Sequence, residues 1–215
     1  MPEGNPTATE LGPDVGDAAI WRDLSDATLT FRVAADPQAG LLVHDREGAL
    51  RSTLPATGLT HIDLVTMRDG TILVAASDRS DPALAYLFLA ILNPETGDLE
   101  RAARVPVGPG IASDICIGVQ QAGGGVEIYS PLESGAIFRT TLARSGEGWS
   151  GLSLQPFSVP GQAARCHIEP GSERLLVGEE NVGIWRFSPA SPNGTLVLQT
   201  GGRALRSADW AAMMQ

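Results

Sequence analysis

The chain has 215 residues, 43% of them hydrophobic, and its 25 acidic against 15 basic residues give a formal net charge of −10. This length allows one large domain or two small ones, and the composition is that of a globular protein with a sizeable core. The negative charge argues against nucleic acid as a partner, because clustered Lys and Arg supply most of that affinity. No apolar run approaches the roughly 18 residues that a membrane-spanning helix needs, which argues against a membrane partner.

Residues 1–12 are polar and lack the basic and apolar regions of a signal peptide. We therefore expect a flexible N-terminal segment at 1–12, followed by a single domain at 13–215. A chain with this start is expected to stay in the cytoplasm.

Short apolar segments separated by turn residues then predict strands. They form three recurring series: one at 40–50, 87–99, 135–139 and 183–187, one at 72–76, 126–129 and 175–178, and one at 62–64, 114–117 and 166–168. Gly40 and Gly135 are 95 positions apart, about two steps of 47, and Gly135 and Gly183 are 48 apart. Only the tail from Ala204 to Met214 has the pattern of a short helix.

A repeating unit of about 45 residues with three or four short strands is typical of one β-propeller blade. A β-sandwich also contains regular short strands, but hairpin spacing of about 8–12 residues gives no period near 47. The sequence thus predicts an all-β propeller with about four four-stranded blades. Because propellers close with about 4–8 blades, the chain forms either a small ring or an open arc whose unpaired edges favour association.

The two cysteines, Cys116 and Cys166, fall 50 positions apart in one strand series. We expect both to be buried and reduced core residues rather than bridged or bound to a metal. His167 follows Cys166, but no second Cys or His lies nearby at ligand spacing, which argues against zinc.

Six short segments of the chain, spread from residue 14 to residue 187, form distinctive motifs. The clearest is LLVGEENVGIWRF at 175–187, and the others are DVGDAAIW at 14–21, GLLVHDREG at 40–48, HIDL at 61–64, AASDRS at 75–80 and NPETG at 93–97. Together they resemble the β-propeller phytases, calcium-dependent enzymes that remove phosphate from inositol hexakisphosphate (phytate). The family's segments read LYVGEEDVGIWKY, DAADDPAIW, GLxVYDLDG, NNVDxR, AASNRS and DPETG. The matches cover nearly the whole chain, but only about two-thirds of a six-bladed family member.

The resemblance implies carboxylates that hold calcium at the top of a central channel, where the ions neutralise phosphates and activate a water. It implies that Asp17 and Glu180 are catalytic and bind calcium, that Arg79 binds a substrate phosphate, and that Asp63 and Glu179 are further calcium ligands. It also implies a secreted or periplasmic location. Without the resemblance, Asp17 would be a turn or cap residue, and the other charges would belong to solvated loops.

Departures from the family pattern leave more than one function open. The Asn-Asn pair is replaced by Thr60-His61, the Glu of a QPEG segment falls on Ala164, and all 15 basic residues are arginine. The first hypothesis is a phytase with weakened activity. The second is a non-catalytic or phytate-binding partial propeller, such as the front domain of a tandem phytase, which contacts a second phytase domain or self-associates through its open blade edge. A plain protein-interaction propeller is the third.

Overall fold

The computed structural model describes residues 17–213 except 27, 122, 147, 170–171 and 189–190. The predicted N-terminal segment at 1–12 lies outside the described residues. No helix in the described ranges is long and apolar enough to cross a membrane.

The described strands form four antiparallel sheets, each built from four strands that are consecutive in the chain. Blade 1 contains β1 (Asp17–Arg22), β2 (Thr30–Asp36), β3 (Gly40–His44) and β4 (Leu50–Pro55). Blade 2 contains β5 (Leu59–Thr66), β6 (Ile72–Asp78), β7 (Leu84–Leu92) and β8 (Leu99–Pro109). Blade 3 contains β9 (Cys116–Gln120), β10 (Val126–Pro131), β11 (Ala136–Ser145) and β12 (Gly148–Ser158). Blade 4 contains β13 (Ala163–Ile168), β14 (Leu175–Glu179), β15 (Gly183–Ser188) and β16 (Ser191–Gln199), and helix α1 (Ser207–Met213) follows it.

This architecture confirms the predicted all-β propeller with about four blades. The three predicted strand series correspond to strands of the blades. The series that begins at 40–50 gives the third strands, the one that begins at 72–76 gives the second strands, and the one that begins at 62–64 gives the first strands. The single described helix lies in the tail where a short helix was expected.

Apolar side chains between neighbouring blades form the core. In β6 every residue is buried, because Ile72 and Val74 face blade 1 while Leu73 and Ala75 face blade 3. Successive strand residues point to opposite faces, so a strand covered on both sides is apolar throughout. Full burial of one such side chain stabilises the fold by about 1.5–3 kcal/mol.

The recurring glycine of the third-strand series has a steric cause. Gly40 and Gly135 have φ angles of 104° and 86°, in the left-handed region that favours glycine. A Cβ at Gly40 would lie 2.3 Å from the Leu54 carbonyl oxygen, and one at Gly135 would lie 2.4 Å from the Gly161 carbonyl oxygen. The close approach of chain segments at this corner of the blade therefore requires the glycine, and the requirement repeats with the blade.

The two ends of the blade array are finished differently. Strand packing joins blade 1 to blade 2, blade 2 to blade 3 and blade 3 to blade 4, and none of comparable extent joins the described strands of blades 4 and 1. On the free face of blade 4, Leu176 and Ile184 pack against Trp210 of α1. The corresponding face of blade 1 carries Ile20 and Leu42, which are only partly buried.

The expectation of two reduced cysteines was wrong, since Cys116 and Cys166 form a disulfide with a Cα–Cα distance of 6.0 Å. Cys116 begins β9 and Cys166 lies in β13, which are the first strands of adjacent blades. Residues one repeat apart in the first strands are spatial neighbours, and this distance lies within the usual disulfide range. The shared strand series placed the two cysteines at equivalent positions, but we did not infer from it that they pair.

Candidate functional site at the channel mouth

Three aspartates adopt the same local geometry at the first strands of blades 1 to 3. Asp17, Asp63 and Asp114 each accept a hydrogen bond at Oδ1 from the backbone N–H of the following residue, at 2.8, 2.8 and 2.9 Å. A short carboxylate that caps its own chain in this way is held in one orientation. The repeat of the blade therefore repeats the placement of the carboxylate.

Two of these carboxylates also join neighbouring blades. Asp63 Oδ2 accepts a hydrogen bond from the N–H of Ile117 in blade 3, at 2.8 Å. Asp114 Oδ2 accepts one from the N–H of Cys166 in blade 4, also at 2.8 Å. Each carboxylate therefore satisfies a backbone donor of the next first strand, a role that buried carboxylates often have.

Burial of the carboxylates shifts their protonation. It raises the pKa of Asp63 to about 6, against the opposing effect of the two backbone hydrogen bonds that Asp63 accepts. It raises the pKa of Asp114 to about 7, again against two backbone hydrogen bonds. The carboxylate of Asp17 raises the pKa of both, so the three acids lie within electrostatic reach of one another. Such a group attracts protons or cations.

Basic groups lie within electrostatic reach of these aspartates, and we call the set formed by Asp17, His61, Asp63, Arg79, Asp114 and Arg165 the mouth. Burial lowers the pKa of His61, the charges of Arg79 and Arg165 lower it further, and Asp17 opposes them. Arg79 donates a hydrogen bond to Glu133, which lies in the turn between β10 and β11 of blade 3. The mouth therefore combines carboxylates from three blades with arginines from blades 2 and 4.

Glu179 and Glu180 point in different directions. Glu179 is 2% exposed, and its two oxygens accept hydrogen bonds from the Gly161 N–H at 2.5 Å and from Trp185 Nε1 at 2.7 Å. Glu180 is exposed and lines a pocket beside Arg165. The contacts of Glu179 hold blade 4 together, whereas the carboxylate of Glu180 is available to a ligand.

The predicted site residues are thus only partly gathered. Asp17 lies within electrostatic reach of Asp63 and Asp114, and Arg79 acts with Asp17 on His61. Glu180 lines the pocket of blade 4 with Arg165. Sequence reasoning missed Asp114 and Arg165 as site residues. Asp114 could have been found by comparing 62–64 with 114–117, which share an aspartate, whereas Arg165 belongs to no repeated motif and gave no signal.

The donor set fits calcium only in part. Calcium takes six to eight oxygen ligands, and Asp63 and Asp114 each already accept two backbone hydrogen bonds. Among the described residues, the group of acidic and sulfur ligand atoms that approach within 4.8 Å of one another is Asp114, Cys116 and Cys166, and the two sulfurs are bonded to each other. An ion at the mouth would therefore need backbone, water or substrate oxygens in addition to the carboxylates.

No protein-family model matches the chain, and no curated protein matches it. Among solved structures, BBS1N in complex with ARL6DN is 14% identical with a TM-score of 0.52, and the match covers 78% of this chain and 48% of that one. Sqt1 from Saccharomyces cerevisiae is 15% identical with a TM-score of 0.51, covering 80% of this chain and 48% of that one. Both are β-propeller-type folds, and at these identities the likeness concerns the fold alone. The chain spans about half the length of each of these proteins.

Proposed function

We propose that the chain is a phytase-like domain that binds phytate at the channel mouth with calcium and hydrolyses its phosphate monoesters slowly. The observation that supports this most is the electrostatic coupling of Asp17 to Asp63 and Asp114, and of Asp17, Arg79 and Arg165 to His61, on a propeller whose motifs resemble those of the phytases in their order. A phosphate-rich ligand needs both kinds of group, because carboxylates recruit a cation and arginines bind phosphate oxygens.

Each residue has a distinct role in this proposal. Asp17 and Glu180 hold the cation, which supplies charge neutralisation and a more acidic water. Asp63 adds negative charge to the same mouth, and Arg79 orients a phosphate group. Glu179 is left out as a ligand, since both of its oxygens accept protein hydrogen bonds.

Weak turnover follows from the contacts of these groups. Arg79 is engaged by Glu133, and the oxygens of Asp63 are engaged by backbone donors. Loss of one preorganised electrostatic contact commonly lowers a rate by about 100-fold or more. The second candidate function, phytate binding without turnover, rests on the same observation.

The partly exposed apolar face of blade 1 is a reason to propose a protein partner. We propose that a second phytase-like domain, or a second copy of this chain, covers Ile20 and Leu42, since apolar blade faces are normally covered by a neighbouring blade. BBS1N is seen in complex with ARL6DN, which shows that one propeller of this type binds another protein. The Cys116–Cys166 disulfide favours an oxidising compartment, and so a secreted or periplasmic location.

Phosphate release from phytate, measured with calcium and with a chelator, tests the proposal. We expect slow, calcium-dependent release that falls further in Glu180→Gln and is unchanged in Glu47→Gln, a control that removes an exposed charge from the blade 1 turn. Calcium at 1 mM should stabilise the fold by only about 0.4 kcal/mol if its Kd is near 1 mM.

Calorimetric titration with phytate separates the two candidate functions. Binding without release supports the non-catalytic module. Absence of both binding and release, with and without calcium, would show that the proposed function is wrong.

A further inference from the structure

A pocket of about 460 Å³ lies between blade 4 and helix α1. The side chains used below are Arg165, Glu180, Asn181, Arg206 and Trp210, all of which line it. In a larger propeller ring the next blade would stand where α1 lies, so this pocket exists because the helix closes blade 4. Trp210 forms part of its apolar base and is 8% exposed.

Arg165 has no carboxylate partner within ion-pair distance in the described part of the chain. Other described arginines do, as with Arg104 and Asp78 at 2.6 Å or Arg186 and Glu169 at 2.6 Å. Glu180 lines the same pocket, but its carboxylate and the Arg165 guanidinium form no ion pair. An exposed arginine with its donors unused is suited to bind an anion from solution.

Arg206 provides a second guanidinium at the pocket. Its carboxylate neighbour Asp209 is already held by Arg203, whose two terminal nitrogens donate to the two oxygens of Asp209 at 2.6 and 2.7 Å. The guanidinium of Arg206 lies 3.9 Å from Asp209, and its side chain is 67% exposed. Both oxygens of Asp209 therefore keep a charged hydrogen-bond donor if the Arg206 guanidinium binds a ligand instead.

The positive charge of Arg165 shifts pKa values at the mouth. Arg165 lowers the pKa of His61 and, after burial and two backbone hydrogen bonds, lowers that of Asp114. The first strand of blade 4 thus carries an arginine within electrostatic reach of His61 and Asp114.

We propose that this pocket binds the phosphate group of a small molecule, with Arg165 as the bidentate anchor and Arg206 and Asn181 as additional donors. A phosphate offers at least three strong acceptor oxygens and a double negative charge, which matches two planar guanidinium groups and an amide. In the absence of a bound cation, the negative charge of Glu180 repels the phosphate. The pocket shares Arg165 and Glu180 with the proposed phytate site, but phosphate binding in it requires neither calcium nor hydrolysis.

Isothermal titration in chelator-containing buffer at constant ionic strength tests the site, with inorganic phosphate and inositol monophosphate as probes. Arg165→Gln should weaken binding of both probes at least tenfold, as expected for loss of a charge-assisted bidentate contact. Arg46→Gln removes the same charge from an exposed turn of blade 1 and should leave binding unchanged. Tighter binding of the inositol ester assigns the pocket to an organic phosphate, and equal or weaker binding assigns it to free phosphate.

Glu180→Gln supplies a second readout whose sign is specific to the pocket, since it should tighten phosphate binding in the absence of calcium. Wild-type affinity in Arg165→Gln, or weaker binding in Glu180→Gln, would overturn the inference. If Arg79→Gln abolishes phytate binding while Arg165→Gln does not affect either probe, the pocket fails and the proposed function stands. If wild type binds phytate but neither probe, the pocket alone fails.

Discussion

The first and the last blade meet the same physical problem and differ in its solution. Each has one face that no neighbouring blade covers in the described part of the chain. Blade 4 buries that face under Trp210 of α1, which contacts Leu176 and Ile184. Blade 1 leaves Ile20 partly exposed, and on the same face Arg32 Nε and His44 Nδ1 are buried without a hydrogen-bond partner among the described residues.

The outer face of blade 4 is thus covered within the chain, whereas the outer face of blade 1 is partly exposed. A sheet covered by a helix has its apolar area removed from water within one chain, whereas a partly exposed sheet face with unpaired polar atoms gains stability when a partner covers it. Blade 4 should therefore behave as a stable boundary, and blade 1 as a contact surface. The predictions below measure how large this difference is.

The largest effect is expected from removing the helix contact. Trp210→Ala should destabilise the fold by about 3–5 kcal/mol, the usual cost of truncating a buried Trp. Ile20→Ala on blade 1 should cost only about 1 kcal/mol, since that side chain is partly exposed already. Urea unfolding of both variants measures this, and equal losses would mean that blade 4 is no better covered than blade 1.

Breaking the Cys116–Cys166 disulfide should have the next largest effect. The bond closes a loop of 50 residues, for which the chain-entropy relation gives about 4 kcal/mol, with about 2–4 typical. Replacing both cysteines by Ser should speed hydrogen exchange in blades 3 and 4 while leaving blade 1 unchanged. Thiol titration of the denatured, unreduced protein should find no free thiol, and two free thiols would contradict the pairing.

Protonation of Asp114 should give a smaller, pH-dependent effect. Its pKa rises to about 7 in the folded protein, mainly through burial, while the unfolded value is near 3.8. The folded state therefore binds a proton more tightly, so its stabilising effect is fully present below about pH 4 and is lost as pH rises through about 7. Lowering the pH from 8 to 5 should raise the melting temperature by several degrees.

Asp114→Asn should flatten this pH dependence and also weaken the contact with the Cys166 N–H. Asp98→Asn, in the exposed turn between β7 and β8, is the matched control. The melts require a chelator, so that cation binding does not contribute. A wild-type slope in Asp114→Asn would place the proton elsewhere.

The smallest effect concerns association through blade 1. Analytical ultracentrifugation should show weak, concentration-dependent self-association of the wild type. Leu42→Glu, which adds a charge to the open face, should raise the dissociation constant at least tenfold, or about 1.4 kcal/mol. Leu152→Glu on the exposed edge strand β12 serves as the control. Unchanged association in Leu42→Glu would show that another surface is used.

The sequence predicted the parts of the fold that burial enforces. The second strands are apolar on both faces, so 72–76, 126–129 and 175–178 recur clearly, and Gly40 and Gly135 mark a corner that admits no side chain. The outermost strands were not predicted as a series, because their side chains face solvent and vary, as Leu152 and Leu154 of β12 do at 66% and 53% exposure.

The site was less predictable because it depends on which strands become neighbours. The disulfide joins residues that are far apart in sequence yet adjacent at the centre. Arg165 belongs to no repeated motif, so no repeat could reveal it. The burial of Glu179 beside the exposed Glu180 depends on contacts of Glu179 with Gly161 and Trp185. The roles of Asp17, Asp63, Arg79 and Glu180 in binding calcium or phosphate stay predictions.

The central disulfide has a mechanical consequence. A force applied to the two ends of the chain cannot extend the segment enclosed by Cys116 and Cys166, which are separated by 50 positions. At about 3.3–3.6 Å per residue, roughly 170 Å of contour length stays hidden until the bond is reduced. Under load, the outer strands of blades 3 and 4 can therefore separate while the disulfide still holds their first strands, β9 and β13, together.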